Sequence, residues 1–219
     1  MKWLRRLTRH TATAVAAASL ALATALTGAT PAQAAPTGLT ECSAEHHRGD
    51  RRLGPERLPV LGPVGLQLVG YSRTGHRSEE QFLATYYDQA GNTWRYPPKD
   101  GYLLTPSGDP VKWQQDLRTG QRIDRYGSEY GAFLAPAGLP YTTRSIPPQN
   151  LVSTPAAGCN YHVYLVTRPF RVDAGPIAPW FHQLGGGLQY QLRGDLVPGA
   201  PERLNVLWLL DNGYLQRLR

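Results

Sequence analysis

Residues 123–148 read IDRYGSEYGAFLAPAGLPYTTRSIPP, a stretch in which glycine or proline interrupts every short apolar run. This spacing favours short strands joined by shaped loops over long helices. Two arginines, Arg125 and Arg144, stand among aromatic residues and glycines. Guanidinium forks bind phosphate oxygens in paired contacts, aromatic faces pack on flat rings, and glycine lets a ligand approach the backbone. The stretch therefore predicts either a site for a ligand with phosphates and rings or a stiffened loop whose arginines are solvated.

Outside this stretch the sequence predicts short elements. Ser78 and Gln81 form a capping box, which predicts a helix that continues to about Tyr87. Periodicity predicts strands at 161–166, 188–193 and about 214–218, and a helix at 204–211 that ends before Gly213. The expected fold is a β-rich α+β fold: a single compact domain with a small antiparallel sheet core, few short helices and a long N-terminal arm.

The first 34 residues have the three parts of a secretory signal peptide in order. Four basic residues are followed by an uncharged apolar run at 11–28 and by the cleavage pattern Ala32-Gln33-Ala34. No later stretch approaches the ~20 apolar residues of a membrane-spanning helix, so no membrane partner is expected. We predict a secreted, extracellular protein with a signal peptide at 1–34, a Pro/Gly-rich N-terminal arm at 35–70 and a folded domain at 71–219.

Charge argues against nucleic acid as a partner. Removal of the leader, which has four basic residues and no acidic one, lowers the formal net charge from +7 to +3. Beyond Arg51-Arg52, the remaining chain has no run of basic residues long enough to follow a phosphate backbone.

The two cysteines, Cys42 and Cys159, predict one disulfide, because an exported chain meets an oxidising environment. Two free thiols are the alternative. The adjacent His46 and His47 are interpreted as solvated loop residues, since no third ligand stands at a recognisable spacing. Scattered acids such as Asp195, Glu202 and Asp211 leave a divalent-metal site conceivable, but the expectation is no metal.

Several common site motifs are absent. The chain has no GxGxxG, no GxxxxGK[ST], no HExxH and no GxSxG. Only 16 acidic residues are present, and Glu129 alone stands in a dense aromatic and glycine context, so a glycosidase with two carboxylates is not expected.

Several short motifs together resemble one family. In order they are WRYPP at 94–98 with Gly101-Tyr102, DRYG at 124–127, PAGLPY at 136–141, RSIPP at 144–148, YHVY at 161–164, and GPIAPWF at 175–181 leading to GGGLQY at 185–190. This pattern resembles the tuberculosis necrotizing toxin (TNT) family of NAD glycohydrolases. The resemblance covers about half of the chain that follows the leader and leaves the N-terminal arm uncovered.

The resemblance implies roles for particular residues. Arg125 and Arg144 would grip the substrate, and Gln189 would be the catalytic glutamine. The catalytic set would be Gln189, Arg125 and His162, with Arg144 in substrate binding. Tyr126 and Phe133 would be the aromatic contacts, while His162 stands where some members place a functional histidine, although a structural role in mid-strand is equally supported.

The implied activity is hydrolysis of the bond between nicotinamide and ribose, with residues 71–219 as the catalytic domain. NAD would be the substrate and no separate cofactor would be needed. Use of NADP, an immunity protein as partner and the oligomeric state stay open. The alternatives are a non-catalytic secreted binding module and an ADP-ribosyltransferase toxin that keeps a catalytic glutamate.

Overall fold

Seven strands form one antiparallel sheet in the computed structural model, which describes residues 38–218. The strands of this part of the chain are β1 (Tyr87–Asp88), β2 (Thr93–Trp94), β3 (Trp113–Leu117), β4 (Arg122–Tyr126), β5 (Phe133–Pro136), β6 (Tyr161–Val166), β7 (Phe170–Pro176), β8 (Leu188–Gln191) and β9 (Leu215–Arg217). The large sheet has the order β3-β7-β8-β5-β4-β6-β9, and β1 pairs with β2 separately. The predicted β-rich α+β fold is confirmed.

The main core lies on one face of the large sheet. Its members are apolar residues that alternate along the strands with residues of the opposite face, as the period of two in a strand requires. The buried cluster includes the strand residues Leu117, Ile123, Leu134, Tyr164, Val172, Tyr190 and Leu215, and Leu209 of the helix at 206–211 packs against them. The strand predicted at 161–166 is found as β6, and β8 is two residues shorter than predicted.

Three α-helices are found in the described residues: α1 (Gly62–Gln67), α2 (Glu79–Tyr86) and α3 (Val206–Asp211). The predicted capping box is present, because the Ser78 side chain accepts from the Gln81 backbone and the Gln81 side chain accepts from the Ser78 backbone. Asn205 caps α3, and Gly213 follows that helix with φ 70°. No helix in residues 38–218 combines the length and apolar character needed to cross a bilayer.

The prediction of an extended N-terminal arm is wrong for part of its length. Residues 62–67 form α1, and Val64 and Gln67 are buried, so this segment belongs to the packed structure. The predicted disulfide is confirmed: Cys42 bonds to Cys159, 117 residues away, which by the chain-entropy model contributes roughly 4–5 kcal/mol. The predicted signal peptide at 1–34 lies outside the described residues.

His47 is not the solvated loop residue that was predicted. Its Nδ1 lies 3.1 Å from a Glu56 carboxylate oxygen, and its Nε2 lies 3.0 Å from one of Glu79. The side chain therefore joins the N-terminal segment to the start of α2.

Candidate active site

A cleft of about 500 Å³ lies over three neighbouring strands of the sheet. The strands β8, β5 and β4 are adjacent in the sheet. One wall of the cleft is therefore formed by Gln189 on β8, Phe133 on β5 and Arg125 on β4, although these residues are far apart in sequence. Loops complete the cleft, whose lining includes Tyr96, Asp100, Gly101, Asp124, Tyr126, Gly131, Arg144, Ile146 and Asn150.

Arg125 is a half-buried cation without a carboxylate partner among the described residues. Its Nε donates to the Ser128 carbonyl and its Nη1 to the Phe133 carbonyl, both at 2.7 Å. Burial lowers the pKa of the guanidinium, which still stays charged. A Cβ on Gly131 would lie 1.8 Å from Arg125 Nη2, so only glycine leaves room for this conformation. The result is a positioned positive charge that has been partly desolvated but not neutralised.

Arg144 has a different environment. Its Nη1 and Nη2 donate to the two Asp124 carboxylate oxygens at 2.6 and 2.8 Å, and further bonds reach Gln67 Oε1 and the Leu139 carbonyl. Burial works to lower the pKa of Arg144, but the adjacent Asp124 carboxylate outweighs burial and raises it. Arg144 lines the cleft, yet most of its five N–H groups are already bound within the protein.

Gln189 is buried and its amide is fixed in orientation. Nε2 donates to the Asp100 carbonyl at 3.0 Å. That carbonyl belongs to a turn in which Lys99, Asp100 and Gly101 all have φ between 52° and 78°. Two consecutive non-glycine residues in the left-handed region cost of order 1–3 kcal/mol each, and such strain clusters at ligand sites. The turn also places Asp100 in the lining of the cleft.

The aromatic residues of the cleft differ in how far their side chains are exposed. Tyr126 is only 3% exposed, because its ring packs on those of Tyr141 and Tyr161. Phe133 is partly exposed, whereas Tyr96 is 56% exposed and lines the cleft. Tyr96 has no role in the sequence-based prediction, although its segment 94–98 was part of the resemblance. A flat ligand ring would meet Tyr96 and Phe133 before it meets Tyr126.

His162 is not among the residues that line the cleft. It lies opposite Arg125 in the β4–β6 ladder, one strand further from Gln189, and its Nε2 contacts Asn160 Oδ1 at 3.2 Å. Burial lowers the pKa of His162. The geometry thus favours a structural role over the functional one that the resemblance suggested.

Glu129 also lies outside the cleft lining. Its carboxylate accepts from Arg217 and from the Tyr164 hydroxyl, and 17% of its side chain is exposed. Within residues 38–218, no three His, Cys, Asp or Glu side chains come together as a metal site would require. Asp195, named above as a scattered acid, is paired with Arg193.

Comparison with known proteins agrees with this architecture. Residues 116–218 match the sequence profile described as "Tuberculosis necrotizing toxin". The chain is 43% identical over 184 residues to the conidial surface nicotinamide adenine dinucleotide glycohydrolase nadA of Aspergillus fumigatus, an alignment that covers 83% of this chain and 74% of the relative. This chain belongs to the tuberculosis necrotizing toxin family.

A solved TNT-family structure shows the same fold. The tuberculosis necrotizing toxin complexed with its immunity factor IFT superposes with a TM-score of 0.50 at 18% identity, covering 64% of this chain and 71% of that one. The family membership expected from the DRYG, RSIPP and LQY motifs is confirmed. The cleft over β4, β5 and β8 is where the TNT-family motifs of this chain converge.

Proposed function

We propose that this protein is an NAD glycohydrolase, which hydrolyses the N-glycosidic bond between nicotinamide and ribose to release nicotinamide and ADP-ribose. One observation carries the proposal: the Arg125 guanidinium and the Gln189 amide open into a single cleft of about 500 Å³ in a TNT-family fold. The activity named for the Aspergillus fumigatus relative supports the same conclusion.

Arg125 supplies the anion-binding group. Because no carboxylate of the described residues neutralises it, a bound pyrophosphate replaces water around a charge that the protein has already partly desolvated. Arg144 acts differently in this proposal. Its paired contact with Asp124 fixes the loop at 139–146. Nε and Nη2 also donate to the Leu139 carbonyl, so one of the five N–H groups is left for the ligand.

The leaving group explains why few acids are needed. Nicotinamide in NAD is a pyridinium cation, so it departs as a neutral molecule without protonation, and the reaction moves positive charge onto the ribose. The Gln189 amide, held by the Asp100 carbonyl, orients the ribose hydroxyls or the carboxamide. Asp100, which the sequence-based prediction did not include, lines the same cleft. In this proposal its negative charge favours positive charge developing on the sugar.

The position of Glu129 favours hydrolysis over transfer to a protein. An ADP-ribosyltransferase needs a catalytic glutamate at the ribose, but the Glu129 carboxylate is held by Arg217 and Tyr164 away from the cleft lining. Water is then the acceptor.

Export completes the proposal. The leader pattern at 1–34 and the disulfide between Cys42 and Cys159 support a protein that works outside the cytosol, and the relative named above is a conidial surface protein. NADP has the same bond and is a second substrate in this proposal. An immunity factor accompanies the structural neighbour, and an equivalent partner is required here only if activity appears before export.

Incubation of the purified secreted protein with NAD tests the function. The expected products, separated by chromatography, are nicotinamide and ADP-ribose in equal amounts. Arg125→Gln should lose at least tenfold in kcat/KM, whereas Arg122→Gln, which changes an exposed arginine on the same strand, should retain it. Intact NAD after prolonged incubation with folded protein would contradict the proposal, and so would equal losses in both variants.

A further inference from the structure

Asn150 is a polar residue of the catalytic cleft to which the proposed reaction gives no role. It lines the cleft and is partly exposed. Its Nδ2 donates to the carbonyl of Tyr126, the last residue of β4, at 3.2 Å. Turning the amide over would set its oxygen against that carbonyl oxygen, so this bond fixes which end of the amide is free.

The free end of this amide is an acceptor. No described residue donates to Asn150 Oδ1, although the Nδ2 of the same side chain is bound. This oxygen is also not one of the unpartnered side-chain atoms that are sealed from solvent, so a ligand in the cleft can reach it. Asn150 therefore offers the cleft a fixed oxygen that needs a hydroxyl or an N–H group as its partner.

The segment that carries Asn150 is firmly held. The backbone N–H of Asn150 donates to the Pro147 carbonyl at 3.0 Å, and the buried Tyr141 hydroxyl donates to the same carbonyl at 2.9 Å. Leu151, the next residue, is fully buried. Residues 148–151 thus form one 3₁₀ turn that is packed on the protein, so little conformational entropy is lost when a ligand binds Asn150.

Arg125 is a neighbour of this amide. Gly127 follows β4 with φ of 110°, and a Cβ at this position would lie 3.1 Å from Asn150 Nδ2 and 3.5 Å from Arg125 Nη2. The amide and the guanidinium therefore come together over the same glycine. A ligand that places its phosphates on Arg125 has its next chemical group beside Asn150.

The order of the strands places the Arg125 guanidinium between Gln189 and Asn150. Arg125 Nη1 donates to the carbonyl of Phe133, the first residue of β5, and Asn150 is bonded to the last residue of β4. Gln189 lies on β8, on the far side of β5. A dinucleotide with its nicotinamide ribose at Gln189 and its pyrophosphate at Arg125 therefore continues towards Asn150 with its adenosine half.

We propose that Asn150 Oδ1 accepts a hydrogen bond from a hydroxyl of the adenosine ribose, which makes Asn150 a specificity-determining residue for the adenosine half of the substrate; this inference rests on the proposed function. The ionised pyrophosphate offers acceptor oxygens and no hydrogen to donate, so the phosphates do not satisfy this oxygen. The nearest donors that adjoin the pyrophosphate are the hydroxyls of the two riboses, and the nicotinamide ribose is at Gln189. The adenosine ribose is the one that remains.

Competitive inhibition of NAD hydrolysis by ADP and by 2′,3′-dideoxy-ADP, which lacks both ribose hydroxyls, tests the inference. We expect the parent to bind ADP about three- to tenfold more tightly than the dideoxy analogue, the worth of one neutral hydrogen bond. In Asn150→Ala the two inhibitors should bind equally, because the acceptor is gone, whereas a structural role would weaken both by the same factor. Asn212→Ala is the matched control: Asn212 Nδ2 also donates to a backbone carbonyl, at the end of α3, so this variant loses the same kind of bond outside the cleft and should keep the preference for ADP.

A parent that binds the two inhibitors equally, or that ADP does not inhibit, overturns the inference, as does a preference for ADP that survives in Asn150→Ala. If Asn150→Ala fails to fold, Asn150→Leu replaces it, since leucine fills a similar space without an acceptor. The rate of NAD hydrolysis is measured in the same assays. A protein that cleaves NAD but whose preference for ADP does not depend on Asn150 refutes the adenosine contact alone, while one that cleaves no NAD refutes the proposed function.

Discussion

Arg217 holds Glu129 by two parallel hydrogen bonds, from Nε to Oε1 at 2.8 Å and from Nη2 to Oε2 at 2.5 Å. Arg217 lies at the end of β9, and Glu129 lies in the turn whose Ser128 carbonyl accepts from Arg125. The buried Tyr164 donates to the same carboxylate at 3.0 Å. The last strand of the described chain therefore fixes the turn that holds the cation of the cleft.

Arg217→Gln should lower catalysis without removing any group from the cleft. Loss of the bidentate contact frees the turn at 127–131, so the Arg125 guanidinium spreads over several conformations and kcat/KM falls roughly threefold to tenfold. Steady-state kinetics with NAD measures this. Arg203→Gln changes another exposed arginine of the C-terminal part and should leave the rate unchanged. A kcat/KM in Arg217→Gln equal to that of the parent would show that the turn keeps its conformation without the contact to Arg217.

The same pair predicts a pH dependence of stability. Hydrogen bonding from Arg217 lowers the pKa of Glu129 below its usual value of 4.5, against the opposing effect of burial. A lowered pKa in the folded state stabilises the protein above the unfolded value, and this contribution is lost as pH falls through the folded value. Melting temperatures of the parent and of Arg217→Gln should differ by a constant amount above the usual pKa of 4.5 and converge as pH falls through the lowered pKa of Glu129. A difference in melting temperature that widens as the pH falls would contradict a lowered pKa of Glu129 in the folded protein.

Asp124→Asn should destabilise the fold more than it changes the chemistry. The substitution leaves Arg144 buried without its carboxylate, and breaking a buried pair costs about 3–5 kcal/mol. For a chain of this size the melting temperature should fall by roughly 6–20 °C. Asp116→Asn breaks an exposed pair with Arg171 and should cost less than about 1 kcal/mol. Equal shifts in the two variants would show that the buried pair adds no special stability.

The secondary-structure elements that were predicted correctly are those encoded by a few consecutive residues. The capping box at Ser78 and Gln81 is complete within four residues, and β6 appears as an uninterrupted strand pattern. Helix α1 was missed because GPVGLQ contains two glycines and a proline. Its helical form depends on packing of Val64 and on the contact between Gln67 and Arg144, which no local pattern shows.

The roles of the two arginines show the same limit. Arg125 and Arg144 stand in similar aromatic and glycine contexts, and the family resemblance implied that both grip the substrate. Only the packing distinguishes them. Asp124 is adjacent to Arg125 in sequence, but its carboxylate pairs with Arg144, whereas Arg125 donates to a backbone carbonyl. The exposed ring of Tyr96 likewise depends on a loop conformation and not on a periodic pattern.

Gln189→Ala should keep the fold and lose most turnover. The side chain donates a hydrogen bond to the Asp100 carbonyl and lies outside the main core, so the melting temperature should change little, whereas kcat should fall at least tenfold if the amide orients the reacting ribose. Gln114→Ala, at an exposed position of β3, is the control. Kinetics and thermal melts on both variants separate the two effects. Parent-like turnover in Gln189→Ala would remove this residue from the mechanism.

Gly131→Ala tests the Arg125 geometry with a single methyl group. Gly131 does not have a positive φ, so its backbone accepts alanine without strain, but the added Cβ would lie 1.8 Å from Arg125 Nη2 and 2.3 Å from Cζ. The guanidinium must therefore leave its contacts with Ser128 and Phe133, which lowers kcat/KM at least tenfold while the core stays intact. Gly158→Ala is the matched control, because its Cβ would meet no atom within 4 Å. If Gly131→Ala cleaves NAD as fast as Gly158→Ala, the observed position of Arg125 is not the one that catalysis requires.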